Sequence, residues 1–239
     1  MSATPVHPGT WRTYSTADGL PSVYCEHIAQ DAAGYLWIAT VENGVCRYDG
    51  DEFRTFTSQD GLCGNQVYSV LGDRQGRVWF GTLDSGVCFY DGSAFQRSDE
   101  NVANTRPTLF LYEDREGRIW NSSIVAFGYF EGTSFCDLTP RLHEKIADLP
   151  EGGGQCYGMV QDREGQIWFH AAQHLVRFDG EHFHSVEAST SGNFTLAVDA
   201  AHTLWVGWKN TLRRWDGADL QPIAWPSGQA GIRKMQSDR

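Results

Sequence analysis

Hydrophobic and polar residues alternate along short stretches of this chain, and the same arrangement recurs at regular intervals. Each unit begins with an apolar position three residues before an aspartate, at Ile28, Val70, Leu111, Met159 and Leu196. A tryptophan follows in every unit, at Trp37, Trp79, Trp120, Trp168 and Trp205. The separations of 42, 41, 48 and 37 residues between these tryptophans match the period of a four-stranded propeller blade.

Turn signals separate the predicted strands within each unit. Four units carry the pattern Asp-x-x-Gly ahead of the tryptophan, and all five carry Asp-Gly or Glu-Gly after an aromatic residue. Aspartate bonds to the backbone two residues further on, and glycine accepts the positive φ that such a turn requires. Asp-Gly between apolar runs is a strong hairpin signal. In the fifth unit His202 replaces the glycine, which predicts a strained turn or a turn of another type.

These patterns predict an all-β protein, a β-propeller of four-stranded antiparallel blades. The repeats occupy residues 11–239, after an N-terminal tail of residues 1–10. The strand and turn signals place five complete blades at about residues 21–57, 63–98, 106–138, 154–187 and 192–223.

Both ends of the chain repeat fragments of the unit. Residues 11–20 nearly copy residues 53–62, and residues 232–239 align with the start of a further blade. We therefore expect an orphan N-terminal strand and an orphan C-terminal strand beside the five blades. Because the two strands that should lie between these orphans have no counterpart, we expect a partial propeller cut from a longer protein. A closed ring of five blades with a loose last strand is the alternative.

Composition excludes some partners. The formal net charge is −11 and no cluster of Lys and Arg occurs, which argues against nucleic acid and anionic lipid as partners. No apolar run is long enough to predict contact with the membrane interior.

The start of the sequence and the cysteines predict a cytoplasmic location. The first residues show neither a basic region nor an apolar region of a signal peptide. Cys46 and Cys88 hold equivalent places in successive units, as do Cys25 and Cys156. Such placement favours small buried hydrophobic residues over a disulfide framework.

The first two units resemble the two-component regulator propeller repeat. Their sequences, DAAGYLWIATVENGVCRYDGDEF and DRQGRVWFGTLDSGVCFYDGSAF, fit its pattern D-x-x-G-x-[ILV]-W-x-G-T followed by an aromatic residue and Asp-Gly. The resemblance implies the input region of a two-component-type signalling protein, with a kinase module downstream in the same chain. It implies a periplasmic location as the alternative to a cytoplasmic one. We expect no cofactor and no catalytic activity in this segment.

Function is expected where the units differ, on the loops that a rigid scaffold carries. In a propeller, the loops between blades share one face with the loops that join the second and third strands. An unknown small polar ligand, such as a sugar or a peptide, or a protein partner is expected on that face. The candidate binding residues are Glu42, Asn43, Asp84, Ser85, His170, Gln173, His174, Trp208 and Lys209.

Two features of the fourth unit suggest more specific roles. Cys156, His170 and His174 are weak candidates for a zinc site, although no fourth ligand is evident and a buried thiol with two solvated imidazoles is the simpler interpretation. The insertion at residues 138–154 predicts a short helix with Thr139 as N-cap and Pro140 in the first turn. This helix covers the channel or docks a partner, unless it only decorates a loop.

Enzymatic alternatives have little support in the sequence. No nucleophile elbow, phosphate-binding loop or His-Glu-x-x-His motif occurs. A propeller lyase or hydrolase remains an alternative, and His170 and Glu42 are its candidate residues. A simple protein-interaction scaffold is the third reading of the same fold.

Overall fold

The computed structural model describes residues 12–98, 107–149, 156, 158–188, 194–208 and 211–224. The strands of these residues form five four-stranded antiparallel sheets, and each sheet follows the simple order of the chain. The all-β architecture of four-stranded blades predicted from the sequence is therefore confirmed. In the described part of the chain, no helix is long and apolar enough to cross a membrane.

The blades are numbered I to V along the chain. Blade I contains β1 (Cys25–Gln30), β2 (Leu36–Thr40), β3 (Val45–Tyr48) and β4 (Phe53–Phe56). Blade II contains β5 (Val67–Gly72), β6 (Val78–Thr82), β7 (Val87–Tyr90) and β8 (Phe95–Arg97). Blade III contains β9 (Thr108–Glu113), β10 (Ile119–Ser123), β11 (Phe127–Glu131) and β12 (Ser134–Asp137), and is followed by the helix α1 (Thr139–Lys145). Blade IV contains β13 (Met159–Gln161), β14 (Ile167–Ala171), β15 (His174–Phe178) and β16 (Phe183–Ala188). Blade V contains β17 (Thr195–Val198), β18 (Leu204–Trp208), β19 (Thr211–Trp215) and β20 (Leu220–Ile223).

This strand order gives the propeller two different faces. The loop face carries the connections between blades and the loops between second and third strands, such as residues 41–44 and 83–86. The turn face carries the hairpin turns and the turns between first and second strands, at residues 31–34, 73–76, 114–117, 162–165 and 199–202.

The repeated aspartate of each blade holds the repeated tryptophan. The indole Nε1–H donates to the aspartate at 2.6–3.0 Å in all five blades. The other carboxylate oxygen accepts backbone N–H groups of the same turn, as Asp31 does from Ala33 and Tyr35. Because a buried indole N–H needs an acceptor, one carboxylate both closes the turn and fixes the tryptophan in the core.

Aromatic contacts join each blade to the next. The tryptophan of one blade packs on the aromatic residue before the hairpin turn of the following blade. Ring centroids lie 5.4 Å apart for Trp37 and Tyr90, 5.6 Å for Trp79 and Phe130, 5.7 Å for Trp120 and Phe178, and 4.8 Å for Trp168 and Trp215. Such pairs contribute roughly 0.5–1.5 kcal/mol each beyond the area they bury, so the repeat itself specifies the packing of neighbouring blades.

The insertion after blade III forms a helix, and its apolar side is buried. Leu138, Leu142 and Ile146 are at most 3% exposed and lie in one cluster with core residues of blades III and IV. The helix packs against β16, the outermost strand of blade IV. Thr139 was expected to be the N-cap, but the N-cap is Leu138 without a side-chain bond. Thr139 Oγ1 instead accepts the backbone N–H of Phe127 at 2.9 Å. This hydrogen bond anchors the insertion to blade III.

The beginning of the described chain repeats the contacts of a fourth strand. Ser15 and Thr57 each open a one-turn 3-10 helix with a capping box. Tyr14 packs on Tyr48 and Phe53 at 5.3 and 5.2 Å. Phe56 of β4 packs on the equivalent rings of blade II. Residues 12–15 carry no strand assignment, and both Trp11 and the expected strand at residues 232–239 lie outside the described residues.

One cysteine pair corrects the sequence-based view of the thiols. Cys63 and Cys88 form a disulfide within blade II, whereas Cys88 was expected to be a buried hydrophobic residue. Cys46, the equivalent of Cys88 in blade I, is free and buried. The difference arises because blade I carries Pro21 where blade II carries Cys63, so repeat equivalence alone could not reveal the partner.

Candidate functional site

The short loops of blades I and II place predicted residues on the loop face. Glu42, Asn43 and Asp84 are exposed, and Ser85 is partly buried. The Asn43 side chain donates to the carbonyl oxygen of Pro21 at 2.8 Å, so it supports the neighbouring connection. The backbone N–H of Ser85 donates to a threonine hydroxyl that ends β6. These two loops are therefore well-defined turns whose acidic side chains point to solvent.

The two histidines of blade IV lie in different environments. His170 is 3% exposed, and burial lowers its pKa to about 4, so it is neutral at physiological pH. His174 is held between two partners, with Nε2 3.0 Å from Oδ1 of Asp148 and Nδ1 3.0 Å from Oγ of Ser185. The interpretation of two solvated imidazoles is therefore wrong for His170. Gln173, between them in the chain, is exposed.

Cys156 is anchored to blade III and to its own loop. Its backbone N–H donates to Oγ of Ser122, and its thiol donates to the carbonyl oxygen of Gly158, both at 3.2 Å. Burial raises the pKa of this thiol to about 12. Over the part of the chain that the structure describes, no group of three or more His, Cys, Asp and Glu side chains is arranged to hold a metal ion.

Blade V presents an aromatic surface on the loop face. Trp208 is partly exposed, and its ring lies 5.7 Å from that of Phe194. The guanidinium carbon of Arg213 lies 5.9 Å from the Trp208 ring, and Arg213 also binds Glu187. We call Phe194, Trp208, Arg213 and Glu187 the loop-face platform. Lys209, also predicted here, lies outside the described residues.

The turn face contains an interaction between blades that the sequence-based prediction missed. We call the Asp-x-x-Gly turn of each blade, or its Asp-x-x-His equivalent in blade V, the box, and its aspartate the box aspartate. In blades II and III, the arginine that follows the box aspartate reaches across to the next blade. Arg74 of blade II forms an ion pair with Glu113 at 3.3 Å and donates to the carbonyl oxygens of Asp114 and Arg115. We call this arrangement the arginine latch.

A second latch joins blades III and IV. Arg115 donates through its backbone N–H and its Nε to Oε1 of Gln161, at 2.7 and 3.1 Å. Its guanidinium also donates to the carbonyl oxygens of Asp162 and Arg163. The signal for both latches is an arginine after one box aspartate together with a glutamate or glutamine just before the next.

Two cavities open on the turn face, and each borders a junction without a latch. One, of about 530 Å³, extends from Ala32 of blade I to Arg74 and Tyr112. Alanine stands there in place of the latch arginine. The other, of about 290 Å³, lies between blades IV and V and is lined by Arg163, His202 and other residues of both blades. The larger cavity also reaches Glu113, the partner of Arg74, so it borders a latched junction as well. The smaller cavity lies at a junction without a latch.

Comparison with known proteins supports the repeat assignment. Residues 61–84 match the family model described as two component regulator propeller, which confirms the resemblance of the sequence to that repeat. A search of curated protein sequences gives no match. The fold and the repeat thus define the chain as a β-propeller with a two component regulator propeller repeat.

Solved structures with this fold include extracellular domains and a lyase. The extracellular domain of BT3049 from B. thetaiotaomicron, described as a hybrid two component system, has a TM-score of 0.70 and 17% identity, over 89% of this chain and 31% of that chain. The extracellular domain of BT4673 from the same organism, described as a one component system, has a TM-score of 0.66 and 16% identity, over 87% and 29%. Virginiamycin B lyase from Staphylococcus aureus has a TM-score of 0.66 and 13% identity, over 90% and 74%.

These similarities show a propeller fold and correct one prediction. This chain spans less than a third of the length of the two extracellular domains that it resembles. Those domains are extracellular, which points away from the predicted cytoplasmic location. The absence of signal-peptide features among the first residues misled that prediction, since the first residues given need not carry the targeting signal.

Proposed function

We propose that this chain is a ligand- or protein-binding sensor segment of a two-component-type signalling protein, located outside the cytoplasm. The observation that carries the proposal is the two component regulator propeller match at residues 61–84, within a fold similar to extracellular domains described as hybrid two component systems. A kinase module in the same protein would receive the signal.

The disulfide of blade II supports an oxidising location. Disulfides form and persist in secreted and periplasmic proteins, and they are rare in the reducing cytosol. Cys63 and Cys88 are bonded to each other, while Cys25 and Cys136 are exposed free thiols. Alkylation of the unreduced protein followed by mass spectrometry should label Cys25 and Cys136 but neither Cys63 nor Cys88.

The loop-face platform is the proposed recognition surface. A partly exposed indole beside a guanidinium–carboxylate pair suits a ligand with both a flat apolar face and hydroxyl or amide groups. Sugars and short peptides have this chemistry. Gln173 of blade IV, exposed at the adjacent loop, adds amide donor and acceptor groups.

Lyase activity is the second candidate because the S. aureus lyase structure covers most of this chain at similar size. A structure with quinupristin is of a catalytically inactive variant of that lyase in which alanine replaces a histidine. The candidates here, His170 and Glu42, differ in environment: His170 is buried in blade IV and Glu42 is exposed on blade I. Because these two residues lie on different blades in different environments, the sensor proposal is favoured over the lyase.

Isothermal titration calorimetry with panels of soluble oligosaccharides and short peptides tests the proposal. A binding ligand should lose about tenfold or more in affinity in Trp208→Ala, because stacking on the indole is removed. Gln173→Ala should also weaken binding. Gln75→Ala is the matched control, since Gln75 is an exposed glutamine on the turn face.

The outcomes separate the candidates. Affinity that is unchanged in Trp208→Ala and Gln173→Ala contradicts the loop-face platform as the recognition surface. When quinupristin is incubated with the protein, the chromatographic retention of quinupristin should stay unchanged. A ring-opened product that disappears in His170→Ala would replace the sensor proposal with a lyase.

A further inference from the structure

The junction of blades IV and V on the turn face departs from the repeat at three positions. Val198 stands where blades III and IV carry a glutamate and a glutamine, and His202 stands where the other four blades carry glycine. Thr203 stands where blade I carries a tyrosine. His202 and Thr203 line the cavity of about 290 Å³, and Val198 acts on it through Arg163, which also lines it.

Val198 leaves Arg163 without its latch partner. Arg115, at the same place one blade earlier, is held by Gln161. The residue of blade V that corresponds to Gln161 is Val198, which has no side-chain acceptor. Among the described residues, the guanidinium of Arg163 makes no hydrogen bond or ion pair. Its donors therefore face the cavity and solvent.

Thr203 leaves Arg214 without an aromatic partner. Arg214 lies opposite the box tryptophan in β19, as Arg47 does in β3. The Arg47 guanidinium lies 4.5 Å from the ring of Tyr35, and Thr203 offers no ring at the corresponding position. Within the described ranges, the Arg214 side chain makes no hydrogen bond or ion pair. The cavity thus has two guanidinium groups with unused donors.

His202 places an imidazole at the lining of the cavity at a cost in backbone strain. It adopts φ 58° and donates its backbone N–H to the carbonyl oxygen of Asp199 at 2.8 Å. The glycines of the other boxes close the same turn without a Cβ in the left-handed region. A strained residue that retains an unusual conformation marks a candidate functional position.

Most carboxylates of this cavity are already used. Asp162 accepts the indole N–H of Trp168, and Asp216 accepts the backbone N–H groups of its hairpin turn. Glu164 is the lining carboxylate that accepts no side-chain hydrogen bond from a described residue. The unused donors therefore outnumber the unused acceptors, although the protein as a whole is acidic.

We propose that Arg163, Arg214 and His202 form a binding site for an oxyanion, either a free anion or the phosphate, sulfate or carboxylate group of a larger ligand. Guanidinium groups bind such oxygens with paired, charge-assisted hydrogen bonds. The site lies on the face opposite the loop-face platform. It therefore stands or falls independently of the proposed sensor function.

Calorimetric titration of the whole chain with inorganic phosphate, sulfate and acetate, at constant ionic strength, tests the site. Saturable binding is expected, and Arg163→Gln and Arg214→Gln should each weaken it about tenfold, the effect of losing one charge-assisted contact. Glu164→Gln should strengthen binding because it removes the competing charge. Arg97→Gln is the matched control, since Arg97 is an exposed arginine on β8 of blade II. Acetate binding alone would assign a carboxylate, and phosphate or sulfate binding a tetrahedral anion.

A second set of variants closes the site without removing its cations. Val198→Gln supplies the acceptor that Arg115 has in the blade before, and Thr203→Tyr supplies the ring that Arg47 has in blade I. Both should fold and weaken anion binding about tenfold, because the donors turn to the new partners. Absence of saturable binding, unchanged affinity in Arg163→Gln and Arg214→Gln, or an equal loss in Arg97→Gln would each overturn the proposal.

Discussion

The junction of blades II and III and the junction of blades IV and V come from the same repeat but are held in different ways. At the first, Arg74 crosses the turn face to Glu113. At the second, Val198 offers Arg163 no acceptor and a cavity remains. Both junctions keep the tryptophan contact with the next blade. Aromatic packing is thus the common element of blade association, and the polar latch is an addition that individual junctions lack.

The box aspartates of blades III and IV also differ in whether they have a cationic partner. Asp114 is fully buried and has two cationic or polar partners, Trp120 Nε1 at 2.7 Å and Arg118 Nε at 2.6 Å. Asp162 is 1% exposed but has Gln166 in place of the arginine. Its charge is therefore uncompensated, and burial raises the pKa of Asp162 above its ordinary value.

The largest expected effect comes from removing the compensated charge. Asp114→Asn should lower the free energy of unfolding by about 3 kcal/mol, because Arg118 keeps only its 3.4 Å contact with Glu116 and an amide N–H is set against the indole N–H. Asp162→Asn should cost about 1–2 kcal/mol, since hydrogen bonds to the carboxylate are lost but no ion pair is. Urea unfolding followed by tryptophan fluorescence measures both.

The equivalent substitutions in the other blades serve as controls for this comparison. Asp73→Asn should behave like Asp114→Asn, because Arg77 forms the same 2.6 Å ion pair with Asp73. Equal losses in Asp114→Asn and Asp162→Asn would show that the arginine adds nothing to the box.

The latch itself should have the next largest effect. Arg115→Ala should lower the free energy of unfolding by about 1 kcal/mol, because several hydrogen bonds to blade IV are lost at a partly solvated site. Arg163→Ala should change it by less than about 0.5 kcal/mol, since an unpaired surface side chain contributes little. The same unfolding assay compares the two variants, and a larger loss in Arg163→Ala would contradict the assignment of latched and unlatched junctions.

The period of the tryptophans was enough to predict the five blades, because the motif that sets the fold is local. Each box aspartate bonds to a tryptophan six residues later, as Asp31 does to Trp37. Turn, strand and core contact are thus all encoded within one unit. The disulfide was not predictable in this way, since Cys63 has no equivalent in blade I.

The candidate site was harder to predict because its contacts join residues of different blades. Asp84 and Trp208 lie on the loop face as the strand order requires. The latch of Arg115 with Gln161 spans 46 residues, so neither residue reveals the other within one unit. His170 was expected to be solvated. The residues around it in the sequence did not reveal that both sides of β14 are buried.

Relieving the strained turn should give a smaller, opposite effect. His202→Gly should raise the free energy of unfolding by about 0.5–1 kcal/mol, because glycine adopts positive φ without the penalty of a Cβ. Gly165→His is the reciprocal change in blade IV and should cost about 1 kcal/mol. A Cβ at Gly165 would meet no atom closer than 3.8 Å, so the cost there is backbone strain and not collision. Thermal unfolding of the pair measures both signs, and a loss of stability in His202→Gly would show that the imidazole itself holds the turn.

The smallest effect is a difference in pH dependence between blades IV and V. The pKa of Asp162 is raised from 3.8, mainly by burial, whereas the pKa of Asp199 is lowered from 3.8, mainly by the hydrogen bond from Trp205. Between 3.8 and its raised pKa, folded Asp162 binds more protons than unfolded Asp162, so its contribution to stability falls as the pH rises. The contribution of Asp199 is present above 3.8 and is lost as the pH falls through its lowered pKa. In urea unfolding from pH 7 to pH 3, the deficit of Asp162→Asn should therefore grow as the solution becomes acidic, while that of Asp199→Asn should shrink. Parallel pH profiles for the two variants would contradict the opposite pKa shifts of Asp162 and Asp199.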